Sequence, residues 1–160
     1  MAKVILICGK ICSGKTHYAK SLLQKSPAVL LSTDEITLAL FWENPGAEHD
    51  AAVEKTQKYL FQKSLEILGG GIDIILDWGF WTAQERAETS AFYRAHGIPF
   101  EWHYLDTSEE TLRQNLRTRN HAVASGQAQF YYFEDTLAER FWGMFEPPGE
   151  GEMDVWVTSS

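Results

Sequence analysis

Short apolar runs alternate with longer amphipathic stretches along the whole chain. Val4–Cys8, Val29–Ser32, Ile72–Leu76, Phe100–Leu105 and Asp154–Thr158 are apolar runs too short for helices, most of them rich in β-branched or aromatic residues, so they read as strands. Helical patterns fill the gaps: Lys15–Lys25, Glu35–Trp42, Glu48–Leu68, a stretch from Thr82 to near Gly97, and another from Thr107 to about Arg119. An aromatic-rich helix follows and ends before Pro147-Pro148. Gly69-Gly70-Gly71 stops the longest of these, and Thr82 with Glu85 and Thr107 with Glu110 have capping-box spacing. A loop is expected from Asn120 to about Phe133. Strand and helix in alternation predict an α/β fold, one domain over residues 1–160, with a parallel sheet covered by helices on both faces. Ligands of such sheets bind beyond the carboxyl ends of the strands.

Composition narrows the class. A chain of 160 residues, 44% hydrophobic and 22% charged, suits one globular core. No apolar run is long enough to span a membrane, and the first one leads straight into a glycine loop, unlike a cleavable leader. Cys8 and Cys12 form neither a disulfide framework nor part of a zinc site, so a cytoplasmic location is expected. Fourteen basic residues against 22 acidic ones give a net charge of −8, the opposite of what nucleic-acid backbone attracts. Extended nucleic-acid binding and membrane association are therefore not expected.

Gly9-Lys10-Ile11-Cys12-Ser13-Gly14-Lys15-Thr16 matches the phosphate-loop pattern G-x-x-x-x-G-K-[ST] at every specified position, between a strand and a helix. The glycines permit a tight turn in which successive N–H groups, those of Ile11, Cys12 and Ser13 among them, can point at phosphate oxygens. The start of the following helix adds its positive end. Lys15 is expected to reach the β- and γ-phosphates of ATP, and the Thr16 hydroxyl to bind Mg²⁺.

With this loop in place, the chain resembles the small P-loop kinases of the adenylate-kinase-like superfamily, in the branch of chloramphenicol phosphotransferase, zeta toxins and polynucleotide 5′-kinase domains. Leu31-Ser32-Thr33-Asp34, Ile75-Leu76-Asp77, the arginine-bearing helix Leu112–Asn120 and the segment after it carry the likeness. It implies a five-stranded parallel sheet of order 2-3-1-4-5 in a three-layer sandwich, with a lid over residues 119–133.

Asp34 corresponds to the aspartate that takes the proton of the acceptor hydroxyl, though by sequence it also suits a helix N-cap. Asp77 closes a strand as a Walker B acid does and would support Mg²⁺ or, alternatively, the acceptor. Arg119 is the candidate catalytic arginine and Arg117 a second phosphate-binding one. The relatives' R-x-x-x-R pair is incomplete here, because Asn115 stands where the first arginine would be. Arg113, Arg117 and Arg119 are each also compatible with a solvated helix face. Phe41-Trp42, Trp78, Phe80-Trp81 and Tyr131-Tyr132-Phe133 could line an acceptor pocket or belong to the core. His17 and His121 read as packing or surface residues.

In polynucleotide kinases an arginine follows the base aspartate by three positions, whereas this chain has Thr37. The expectation is thus an ATP- and Mg²⁺-dependent kinase acting on a hydroxyl of a small molecule. The alternatives are a 5′-hydroxyl kinase for nucleosides, nucleotides or oligonucleotides, or a nucleotide-binding NTPase or regulator without transfer activity.

Overall fold

A computed structural model describes residues 1–40, 48–126 and 134–159. Five strands, β1 (Val4–Cys8), β2 (Ala28–Leu31), β3 (Asp73–Gly79), β4 (Phe100–Thr107) and β5 (Val155–Ser159), form one sheet in the order β2-β3-β1-β4-β5. Every pairing is parallel. The class and strand order are those expected. The helices are α1 (Lys15–Lys25), α2 (Thr33–Leu40), α3 (Glu48–Gly69), α4 (Ala83–Ala95), α5 (Glu109–Ala124) and α6 (Asp135–Met144).

Alternation along β1 builds the two interior layers. Val4, Leu6 and Cys8 face one side, where they join Ile74, Leu76 and Tyr93 and pack against Phe61, Leu65 and Phe92 of α3 and α4. Ile7 faces the other side, with Ile75, Leu105 and Ala19 of α1. A third cluster, Leu112, Leu116, Ala138 and Trp142, joins α5 to α6 and touches Ile11 and Cys12 of the glycine loop.

Several boundaries differ from the sequence expectation, β3 running to Gly79 rather than Leu76 among them, and three more have an identifiable hydrogen-bonding or sequence cause. The α5 cap is Ser108, whose Oγ accepts the Thr111 N–H at 3.2 Å, while Thr107 Oγ1 donates to the Ser13 carbonyl at 3.0 Å. Helix α5 also runs five residues beyond Arg119, to Ala124, because Ala122, Val123 and Ala124 continue it until Gly126 turns to φ 75°. Finally, α2 starts at Thr33, with Ser32 Oγ accepting the Glu35 N–H at 3.4 Å. The N-cap function thus falls to Ser32 rather than Asp34.

Candidate active site

Strands β1 and β3 end together, and an irregularity there sets the site. Leu6 pairs with Leu76, but Cys8 pairs with Gly79, so β3 carries one residue more than β1 around Asp77-Trp78. Such a bulge re-aims a side chain at a strand end. Asp77 consequently stands beside the glycine loop: Thr16 Oγ1 donates to Asp77 Oδ2 at 3.1 Å. The Gly9 N–H donates to the Gly79 carbonyl at 3.0 Å, fixing where the loop begins.

Opposing pressures act on the charges. Burial lowers the Lys15 pKa, while the carboxylates of Asp77 and Asp34 pull it up. Burial also pushes the Asp77 carboxyl up to about 6, against the attraction of Lys15 and the Thr16 hydrogen bond, with the Asp34 charge adding to the rise. Both acids therefore act on the same lysine from different elements. Asp34 is exposed in the first turn of α2, and Asp77 is 7% exposed. Lys15 Nζ itself rests on the carbonyls of Lys10 (2.7 Å) and Gly9 (3.2 Å).

The loop is tightly wound. Gly14 has φ 95° and Cys12 has φ 64°, a left-handed value that costs a side-chain-bearing residue energy. A Cβ on Gly9 would lie 2.7 Å from Ser13 Oγ, so this position needs glycine. The Ser13 hydroxyl is buried with no hydrogen-bond partner among the described residues.

Outside the loop, Arg119 Nη1 approaches Cys12 Sγ at 4.0 Å. Arg117 is exposed and about 200° further round the helix, so it is not brought to the loop with Arg119. Arg113 is engaged elsewhere, by Glu109 and Glu139.

Asn115 was legible only as a missing arginine. Its Nδ2 donates to the Cys12 carbonyl at 2.9 Å. Thr107, expected only as a helix cap, and Trp142, which nothing in the sequence marked, hold the Ser13 and Ile11 carbonyls. Of the aromatic candidates, Phe80 is fully buried in the core, and Trp78 and Trp81 pack against the same cluster. Phe41-Trp42, Tyr131-Tyr132-Phe133 and residues 127–133 of the expected lid lie outside the described residues. Among the described residues no group of three or more His, Cys, Asp or Glu could hold a metal by itself. No described helix is long and apolar enough to cross a membrane.

The donor chemistry nevertheless fits a nucleotide with Mg²⁺. Mg²⁺ takes few protein oxygens and completes its shell with phosphate and water, and Thr16 Oγ1 with Asp77 Oδ2 offer such a partial set. A parallel sheet of this order, ending in a phosphate loop with an acid beside it, defines the P-loop kinase fold.

Within that class the chain belongs to the AAA domain family AAA_33, whose model matches residues 4–139. Three solved structures are similar in fold. The Mycobacterium tuberculosis APS kinase CysC in complex with AMPPNP and APS has a TM-score of 0.66 at 18% identity, covering 99% of this chain and 89% of that one. A sugar kinase of Janibacter sp. HTCC2649 has a TM-score of 0.67 at 12% identity, covering 99% and 86%. A chain of the Pnkp1/Rnl/Hen1 RNA repair complex has a TM-score of 0.71 at 16% identity, covering 89% of this chain and 43% of that one. No curated protein matches the sequence.

Proposed function

We propose that the protein is an ATP-dependent kinase that transfers the γ-phosphate to a hydroxyl of a small molecule. The observation that carries the reading is the pair of carboxylates acting on Lys15: Asp77 bonded to Thr16, and Asp34 left exposed by a helix that Ser32 caps. Phosphoryl transfer needs positioning, charge neutralisation and one base, and these residues supply each.

Loop N–H groups, Ser13 and Lys15 would hold the phosphates, with Arg119 approaching from α5. Thr16 and Asp77 would hold Mg²⁺, which when bound neutralises phosphate charge. Asp34 accepts the proton of the acceptor hydroxyl as that oxygen attacks. A cytoplasmic location remains part of the reading.

The acceptor is a neutral or cationic alcohol rather than a polynucleotide. The net charge of −8 opposes phosphate backbone. Thr37, at the position where polynucleotide kinases carry an arginine, is wholly buried with its hydroxyl on the Asp34 carbonyl at 3.3 Å.

A screen of hydroxyl compounds and 5′-hydroxyl oligonucleotides for acceptor-dependent ADP release tests this, with Lys15→Ala as the control. The expected result is ADP release stimulated by a small alcohol and abolished in Lys15→Ala. Stimulation by oligonucleotides alone would reverse the acceptor assignment, and ADP release indifferent to every acceptor would make the protein an NTPase.

A further inference from the structure

We propose that Trp142 of α6 is a positioning residue for nucleotide binding, acting through the Ile11 carbonyl to hold the glycine loop in its phosphate-binding shape. The proposal rests on the phosphate-binding reading above and adds a residue far from the motif.

Three successive carbonyls of the loop accept side-chain hydrogen bonds from behind. Ile11 accepts from Trp142 Nε1 at 3.0 Å, Cys12 from Asn115 Nδ2 at 2.9 Å, and Ser13 from Thr107 Oγ1 at 3.0 Å. In a trans peptide the C=O and N–H point in opposite directions. Carbonyls held outward therefore turn the following N–H groups of Cys12 and Gly14 to the other side, while the Ser13 N–H donates to the Lys10 carbonyl at 3.2 Å. Converging N–H dipoles repel one another until an anion lies among them, and Cys12 is in a backbone region uncomfortable for a non-glycine residue. A loop of this shape relaxes unless something holds it.

Trp142 is built to do so. Its side chain is 8% exposed and sits among Leu112, Leu116 and Ala138, in contact with the loop's own Ile11 and Cys12. The Arg113 guanidinium lies 5.5 Å from the ring centroid and is itself fixed by Glu109 and Glu139. Packing and a cation–π contact thus set the ring plane, and with it the direction of the N–H. A tryptophan that only filled the core would give the same burial, so the hydrogen bond is what must be tested.

Calorimetric Kd values for Mg·ADP, with thermal midpoints, are compared in the wild type, in Trp142→Phe and in a variant carrying 3-benzothienylalanine at position 142. The last keeps the indole shape and removes only the N–H. The expected result is a Kd weakened by about three- to ten-fold in both variants, the worth of one hydrogen bond. The midpoint of the isosteric variant falls by no more than a few degrees, as for one lost hydrogen bond, and amide exchange at Cys12–Gly14 accelerates in both. Wild-type affinity in the isosteric variant would overturn the proposal and leave Trp142 a packing residue. If Trp142→Phe fails to fold, the isosteric variant decides alone. A wild-type protein that does not bind Mg·ADP would instead refute the phosphate-loop reading itself, and the proposal with it.

Discussion

Asp77 keeps its charge in surroundings that penalise it, and the nucleotide-free protein bears the consequence. Its carboxyl holds a proton more tightly when folded, at about 6 against an ordinary 3.8. The folded state is therefore favoured by protonation, and this contribution is fully present at low pH and lost as pH rises through roughly 4 to 6. Asp77→Asn should melt a few degrees above the wild type at pH 7, with the gap closing toward pH 4. Thermal unfolding across a pH series checks this; a less stable Asp77→Asn at pH 7 would mean that attraction to Lys15 outweighs burial. The two acids should also separate in turnover. Asp34→Asn is expected to bind ATP nearly normally while transfer falls by roughly 10²–10⁴-fold. Asp77→Asn should raise the Mg²⁺ requirement and recover partly at high Mg²⁺. Steady-state rates over a Mg²⁺ titration distinguish the two, and full transfer in Asp34→Asn would remove it as the base. Ser32, Thr33 and Asp34 are all able to cap a helix, so the sequence alone left Asp34 between two roles. The hydrogen bond from the Glu35 N–H to Ser32 gives the cap to Ser32, and the turnover of Asp34→Asn tests the base role.

Elements were legible where the cause was local. Val4–Cys8 and Lys15–Lys25 were found at their observed bounds, and the Thr82–Glu85 cap forms, with Thr82 Oγ1 accepting the Glu85 N–H at 3.1 Å. What escaped was decided across the sheet. Thr107 and Ser108 are equally good caps by type, and only the distant Ser13 carbonyl takes Thr107 away. Likewise Asn115, Trp142 and the β3 bulge depend on partners that no local window contains. The residue that β3 has in excess around Asp77-Trp78 is what the bulge absorbs. Gly79 completes that turn at φ 85°, and a Cβ there would lie 2.7 Å from Trp81 Nε1 and 3.3 Å from the Gly9 carbonyl. Gly79→Ala should therefore cost about 1–3 kcal/mol, from backbone strain and crowding together. Gly14→Ala, at φ 95° but with nothing within 4 Å, should cost only the strain, about 1 kcal/mol. Urea unfolding of both variants tests the order, and equal losses would show that the crowding relaxes freely.

Over the whole molecule, an ion pair between buried Arg86 and the more exposed Glu152 helps tie the last segment to the rest. Arg86 of α4 is 2% exposed, donates to the Phe80 carbonyl at 2.9 Å and pairs with Glu152, just ahead of β5. Glu152→Ala leaves that guanidinium buried without its carboxylate and, because Glu152 itself is partly solvated, should destabilise by about 1–3 kcal/mol. Equilibrium denaturation measures it; a loss below about 1 kcal/mol would mean that water reaches Arg86 in the variant. The parallel sheet carries a further consequence, for the order of events in folding. Strand β1 lies between β3 and β4, so Val4 meets Ile74 on one side and Phe100 on the other. Contacts this distant in sequence close late, after much chain entropy has been lost. The glycine loop is only eight residues long, yet its supports arrive from Asp77, Gly79, Thr107, Asn115 and Trp142. A chain still emerging from the ribosome, with its motif complete but none of these supports yet made, should have no hold on nucleotide. Recovery of Mg·ADP binding during refolding should then follow the slow, global phase and never precede it.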